Sequence, residues 1–215
     1  MSTHSHDYIP AAGRDSLLRF YDPLTRLLGA ERVRQRLLDA AGVAAGERVL
    51  DLGCGTGAVS LLLAKRQPGA RIVGLDPDAK ALARAEEKRS RAGAAIEWQQ
   101  GYAGRAPFPA QSFDRVVSSL MIHHLTAEDK QAAFRDVRRL LRPGGSFHLL
   151  DFGPPKSALE RALTAVFHRD ARVQDNLRGR LPEWLREAGF AEVREVESQR
   201  TLFGRVSLYS ARVAG

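Results

Sequence analysis

The sequence predicts a doubly wound α/β fold, a parallel sheet covered by helices on both faces. Three observations predict it. Short apolar runs alternate with amphipathic stretches after residue 46, a glycine-rich turn follows the first run, and an acid closes the second. The chain has 215 residues, 44% of them hydrophobic and 27% charged. That balance excludes wholesale disorder and is enough for one self-sufficient core. The reading is therefore a single domain over 46–215, preceded by a helical segment over 1–45.

The first strand is expected at Arg48–Leu52, running through Gly53-Cys54-Gly55-Thr56-Gly57 into a helix that begins Ala58-Val59-Ser60 and stops at Pro68-Gly69. Arg71–Asp76 is the second strand. The helix after it covers 78–91, with Ala79, Leu82, Ala83 and Ala85 inward and Lys80, Arg84, Lys88 and Arg91 outward. A third strand spans Ala94–Gln100 and a fourth Phe113–Leu120, followed by a helix over 126–141. Pro143-Gly144-Gly145 turns into a fifth strand, Ser146–Asp151. The segment 153–180 gives no clear period. A helix over 181–188 ends at Gly189, and the alternation then breaks. Glu192–Gln199 and Leu202–Val213 follow one another too closely for a crossover helix, so these two strands should be antiparallel. In the first 45 residues Leu24, Leu27, Leu28, Val33, Leu37 and Leu38 mark an apolar helical face. This segment is expected to form a lid over the pocket mouth.

The net charge is +8, but the basic residues are scattered and form no block of five. A solvated basic surface is the better reading, and a nucleic-acid partner is not expected. Arg135, Arg138, Arg139 and Arg142 make one stripe, read as a solvated outer face without the aromatic platform that nucleic acid needs. No apolar run reaches the roughly 18–20 residues of a membrane span, and the N-terminus lacks the pattern of a secretory signal. The single Cys54 has no disulfide partner within the chain. These features together predict a cytoplasmic protein.

A glycine turn between strand and helix lets backbone approach a ligand that a Cβ would exclude. Here Gly53, Gly55 and Gly57 are followed by Asp76, nineteen residues beyond Gly57 and close to the roughly 20 expected for an acid that accepts from ribose hydroxyls. The spacing is G-x-G-x-G, not the G-x-G-x-x-G of dinucleotide sites. Asp51, at the loop's entry, would repel a pyrophosphate and suit a ligand with positive charge.

VLDLGCGTG at 49–57, GLDPD at 74–78, SFDRVVSSLMIHHL at 112–125, LRPGG at 141–145 and DFGPP at 151–155 resemble, in content and order, the motif series of class I S-adenosylmethionine-dependent methyltransferases. The chain looks most like the ubiquinone/menaquinone C-methyltransferase-like group over about 45–213. The resemblance implies a Rossmann-like seven-stranded sheet with its last strand antiparallel, and S-adenosyl-L-methionine as cofactor. It implies that Asp51, Gly53, Cys54, Gly55 and Gly57 wrap the methionine portion and that Asp76 holds the ribose. Leu75 and Pro77 would flank the nucleoside. Tyr102 and Ala103 stand where the family usually reads Asp-Ala against the adenine, so the backbone of Ala103 takes that role. Ser118 and Ser119 fall near the sulfonium, and Tyr21 would close over the methionine tail.

In-line methyl transfer from a sulfonium releases a neutral leaving group and needs no acid. A base is needed only when the nucleophile arrives protonated. His123 and His124, just after the fourth strand, are the candidates. Cys54 has no base beside it and reads as a packed small residue. His4 and His6 form a terminal pair with no partner, and no second acid joins Asp151, so no metal is expected. Leu120, Met121 and Ile122 favour a small, partly apolar acceptor. The alternatives are methylation of RNA or another macromolecule, or a non-catalytic cofactor-binding protein.

Overall fold

The computed structural model describes residues 30–167, 170–201 and 204–215. Seven strands form one sheet: β1 (Arg48–Leu52), β2 (Arg71–Asp76), β3 (Ile96–Gln100), β4 (Phe113–Ser119), β5 (Leu141–Phe152), β6 (Ala191–Thr201) and β7 (Gly204–Arg212). Their order is β3-β2-β1-β4-β5-β7-β6. The first five run parallel, and β7 lies antiparallel between β5 and β6. The final strand is therefore antiparallel, as expected. Strand order reverses between β1 and β4, so the loops beyond their carboxyl ends part and leave a crevice.

The helices are α1 (Ala30–Ala41), α2 (Ala58–Arg66), α3 (Ala79–Ala92), α4 (Ala127–Leu140), α5 (Ala158–Phe167), α6 (Ala171–Leu177) and α7 (Leu181–Glu187), with a 3-10 turn at Ile122–His124. Alternation along each strand divides the core in two. Val49, Ile72, Val117 and Leu150 face α1 and α2, while Leu50, Val73, Val116 and Leu149 face α4 and α7. The α3 helix is set by its ends. Asp78 accepts from the amides of Lys80 and Ala81, and Gly93 closes it in the left-handed region at φ 60°.

The structure corrects several expectations. The β3 strand begins at Ile96, two residues late. β5 begins at Leu141, which pairs with Phe113 before residues 142–145 loop out and Ser146 resumes the ladder opposite Arg115. On α3 it is Ala81, with Leu82 and Ala85, that is buried. Ala79 and Ala83 are exposed because they lie more than 100° from the centre of that face. The unreadable stretch 153–180 carries α5 and α6. The arginine stripe is not a free solvated face. Arg138 donates to the Gly189 carbonyl, Arg139 to Asp136 and the Phe108 carbonyl, and Arg142 to Asp114 and the Gln111 carbonyl, so three of its four members pin loops.

Of the segment expected to form a lid over 1–45, the structure describes residues 30–45. α1 lies on the sheet, and its Leu37, Leu38 and Ala41 pack with Val117, Leu150, Val206 and Leu208. The crossover helices leave that part of the sheet uncovered, and burying a leucine there contributes about 1.5–3 kcal/mol. Tyr21, like His4 and His6, lies outside the described residues.

Candidate active site

The carboxyl ends of β1, β2, β4 and β5 form one rim, and the glycine loop is stitched to it. The amides of Gly53 and Cys54 both donate to the Leu75 carbonyl, at 2.8 and 3.0 Å. Gly57 donates to the Cys54 carbonyl at 2.9 Å, and Gly55 to Asp76 Oδ2 at 2.8 Å. The amides of Gly53, Cys54, Gly55 and Gly57 are thus spent internally. The loop offers close approach rather than a cradle of donors for a diphosphate.

Its three glycines have three different reasons. A Cβ on Gly57 would stand 2.7 Å from the Trp98 ring, and one on Gly53 would stand 2.2 Å from Met121 Cγ. Only Gly55, at φ 52°, has open space on its Cβ side. Gly57 therefore lets α2 approach β3, Gly53 admits Met121, and Gly55 is the member that faces the crevice.

Two acids brace this loop. Asp76 ends β2 with one oxygen on the Gly55 amide and the other on the Asp78 amide, at 2.9 Å. Burial pushes its pKa up against those two hydrogen bonds. Asp51 is 1% exposed and accepts from both the amide and the hydroxyl of Ser60, at 3.1 and 2.6 Å. Gly57 supplies no side-chain cap to α2, so the Asp51 carboxylate caps that helix from the preceding strand. Burial, reinforced by Asp76 and opposed by Ser60, pushes Asp51 up to about 6. Cys54 is buried beside both acids and its thiol is pushed well up, first by burial. It stays protonated, which fits a packing role.

On the other side of the crevice, Ser118 Oγ donates to the Leu52 carbonyl at 2.9 Å and ties β4 to the end of β1. Ser119 Oγ is buried with no hydrogen-bond partner among the described residues. Leu120 then adopts φ 54°, a strained value for a side chain of its size, and throws Met121 across Gly53. Of the three apolar residues expected to line the acceptor side, Ile122 is fully buried in the core and Leu120 packs on the α1 side of the sheet. Met121 remains at the crevice.

The turn that follows holds the two histidines. His123 Nδ1 lies 2.8 Å from Asp151 Oδ1, and its amide reaches Asp151 Oδ2 at 3.3 Å. Asp151 is fully buried at the end of β5 and also accepts from the Phe152 amide and Asn176 Nδ2. Burial raises a carboxyl, but the His123 contacts and the Phe152 amide outweigh it and hold Asp151 below its ordinary value. An ionised carboxylate only accepts, so Nδ1 of His123 carries a proton and Nε2 of the neutral ring is bare. The ring is steadied edge-on by Phe152, with centroids 4.8 Å apart. His124 is pushed down to about 4 by burial and by neighbouring His123, so it stays neutral. The two candidate bases are thus unequal, and only His123 is held by an acid. Sequence reasoning missed this partner because it weighed Asp151 only as a metal ligand. The signal available was an acid at a strand end beside the end of β4.

The remaining expected residues follow β2 and β3, where the Gly101 amide donates to the Asp76 carbonyl at 3.1 Å. Leu75 packs in the core, and a Cβ on Gly101 would stand 2.9 Å from its Cδ1. The Pro77 carbonyl accepts from Gln100 Nε2, and Ala103 packs on the main core. Tyr102 is half-exposed, with the Arg105 guanidinium 4.6 Å above its ring. No group of three or more His, Cys, Asp or Glu among the described residues is arranged to hold a metal ion. Nor is any described helix long and apolar enough to cross a membrane.

A doubly wound sheet with this strand order, a G-x-G-x-G loop and a strand-end acid defines the Rossmann-like class of methyltransferase folds. A family model described as a methyltransferase domain matches residues 49–145. The demethylmenaquinone methyltransferase of Thermus thermophilus is 37% identical over 153 residues, 69% of each chain. The erythromycin 3''-O-methyltransferase of Saccharopolyspora erythraea is 31% identical over 194 residues, 79% of this chain and 58% of its own. A phosphoethanolamine N-methyltransferase of Haemonchus contortus, solved with phosphomonomethylethanolamine and S-adenosylhomocysteine, superposes with a TM-score of 0.71 at 19% identity over 86% of this chain and 53% of that one. The chain belongs to the S-adenosylmethionine-dependent methyltransferase family. It spans between 56% and 69% of the length of the first five curated relatives that it matches.

Proposed function

We propose that this chain transfers a methyl group from S-adenosylmethionine to a hydroxyl on a small, partly apolar acceptor, with His123 as the base. The observation that carries this reading is the 2.8 Å contact between His123 Nδ1 and Asp151 Oδ1. A base is needed only when the nucleophile arrives protonated, as a hydroxyl does. Similarity to an enzyme named as an O-methyltransferase supports the same choice.

The residues of the rim fit the cofactor. The open side of Gly55 admits a ligand against backbone, the Asp76 carboxylate stands where ribose hydroxyls would donate, and the orphaned Ser119 hydroxyl offers a buried polar contact. Asp51, Gly53, Cys54, Gly57, Pro77, Tyr102, Ala103 and Ser118 complete the proposed shell, and Tyr21 remains an expectation. When bound, S-adenosylmethionine supplies a methyl carbon on a cationic sulfur that departs as a neutral thioether. The acceptor proton passes to Nε2 of His123, and Asp151 stabilises the imidazolium through Nδ1–H. Asp51 balances positive charge at the loop. Met121 presents an apolar edge to the acceptor. A single cysteine held as thiol suits a reducing, cytoplasmic setting.

The test is turnover of an acceptor panel by wild type and His123→Ala, with S-adenosylhomocysteine affinity measured in both. A fall of about 10²–10⁴-fold in kcat with cofactor affinity kept is the expected result. Full turnover by the variant overturns the assignment.

A further inference from the structure

The α6 helix was illegible in the sequence, yet it reaches the centre of the site. Asn176 is fully buried and donates from Nδ2 to Asp151 Oδ1 at 3.2 Å. The same oxygen accepts from His123 Nδ1 at 2.8 Å and from the Phe152 amide at 2.7 Å. Three donors on one oxygen stop the carboxylate from turning about its own bond. The other oxygen receives only the longer contact from the His123 amide.

A seven-residue helix does not hold itself in place. Lys130 of α4, fully buried, supplies a tether. Its Nζ donates to the Arg172 carbonyl and stands 3.7 Å from Asp175 Oδ2, both in α6. A buried ammonium is a costly way to fill space that a methionine would fill without desolvation. Such groups are retained where they specify one arrangement, and here the arrangement specified is the register of α6 against Asp151.

We propose that Asn176 is a positioning residue for His123, acting through Asp151, and that Lys130 holds α6 in the register that makes this possible. The inference rests on His123 being the base. Asp151 on β5 and His124 on the same turn adjoin His123; Asp170 and Arg172 act in turn on His124, and Asp175 and Asp170 on Lys130 of α4, which itself acts with Asp151. With the Asp151 carboxylate fixed, the neutral His123 ring keeps its proton on Nδ1 and its bare nitrogen on Nε2. With Asn176 removed, the carboxylate turns, and the tautomer with the proton on Nε2 becomes populated.

The experiment is long-range proton–nitrogen correlation on cofactor-free protein labelled with ¹⁵N-histidine. Wild type should show His123 as a single Nδ1–H tautomer. Asn176→Leu, close in volume, should show a mixture, as should Lys130→Met. Lys130→Gln keeps a donor for the Arg172 carbonyl and should return towards wild type. If Asn176→Leu does not fold, Asn176→Ala removes the amide without adding bulk and is read the same way. In turnover, kcat should fall in proportion to the tautomer lost, at unchanged KM. A folded Asn176 variant with His123 wholly in the wild-type tautomer overturns the proposal. The spectra need no acceptor or cofactor, so this outcome is separate from the failure of His123 as base, which His123→Ala reads in turnover.

Discussion

Asp76 and Gly55 are joined across the rim: the carboxylate at the end of β2 accepts the loop amide at 2.8 Å. The acid thus shapes the loop it shares a crevice with. Asp76→Ala should weaken S-adenosylhomocysteine binding by at least tenfold, since each charge-assisted hydrogen bond lost is worth about 1.5–3 kcal/mol. It should also lower Tm, because the Gly55 and Asp78 amides lose their acceptor. Calorimetric titration beside a thermal melt checks both, and an unchanged affinity in a folded variant assigns the ribose contact elsewhere.

Two alanine substitutions in the same loop should part company. Gly57→Ala places a methyl 2.7 Å from the Trp98 ring at φ 77°. Overpacking of about 1–3 kcal/mol adds to a left-handed penalty of about 1–2 kcal/mol, so thermal stability falls clearly. Gly55→Ala carries only the backbone penalty, since its Cβ meets open space. Its loss should appear instead in cofactor affinity. Equal melting losses in the two variants would count against this division.

Asp51 should make stability depend on pH in an unusual direction. Its folded value of about 6 lies above its ordinary 3.8. Between those values the native state binds more protons than the unfolded chain, so this group's contribution falls as pH rises from about 4 to about 6 and is flat above. The span corresponds to about 3 kcal/mol. Asp51→Asn keeps an acceptor for Ser60 and removes the charge. Its stability relative to wild type should grow across that window, as denaturant unfolding at pH 4, 5, 6 and 7 will show. A constant difference across the series contradicts the assignment.

The same acid predicts a proton count on binding. A cationic ligand beside Asp51, which is about half protonated at pH 6, favours its carboxylate, so S-adenosylmethionine should release up to about half a proton more than S-adenosylhomocysteine, which lacks the sulfonium charge. Titration in buffers of different ionisation enthalpy measures the difference. Identical release by both ligands places the sulfonium away from Asp51.

Asp151→Asn should nearly match His123→Ala in turnover. The amide no longer fixes the proton on Nδ1 of the ring, so Nε2 is no longer reliably bare. Cofactor affinity should hold, because the hydrogen bonds of Asp151 go to His123, Phe152 and Asn176 and to none of the residues proposed to hold the cofactor. A variant that keeps wild-type kcat removes Asp151 from the mechanism.

The sequence by itself determined what local chemistry determines. Period and turn residues placed the strands, Gly53 to Gly57 marked a close backbone approach, and the short gap before the final strand required an antiparallel end. Asp76 was legible because strand, turn and helix put it at a fixed distance from the loop. Tertiary structure decided what depends on strand order and register. Ser119 pairs with Leu150, so the next residue of β5, Asp151, arrives beside the turn carrying His123 although 28 residues separate them. No local period announces that pairing, nor the reach of Asn176 from a seven-residue helix. Only packing sets Gly57 apart from its neighbours, by putting Trp98 against it, and only packing seats Leu37 and Leu38 of α1 on the sheet. An apolar helical face states that something must be covered, and only the packed chain decides which surface that is.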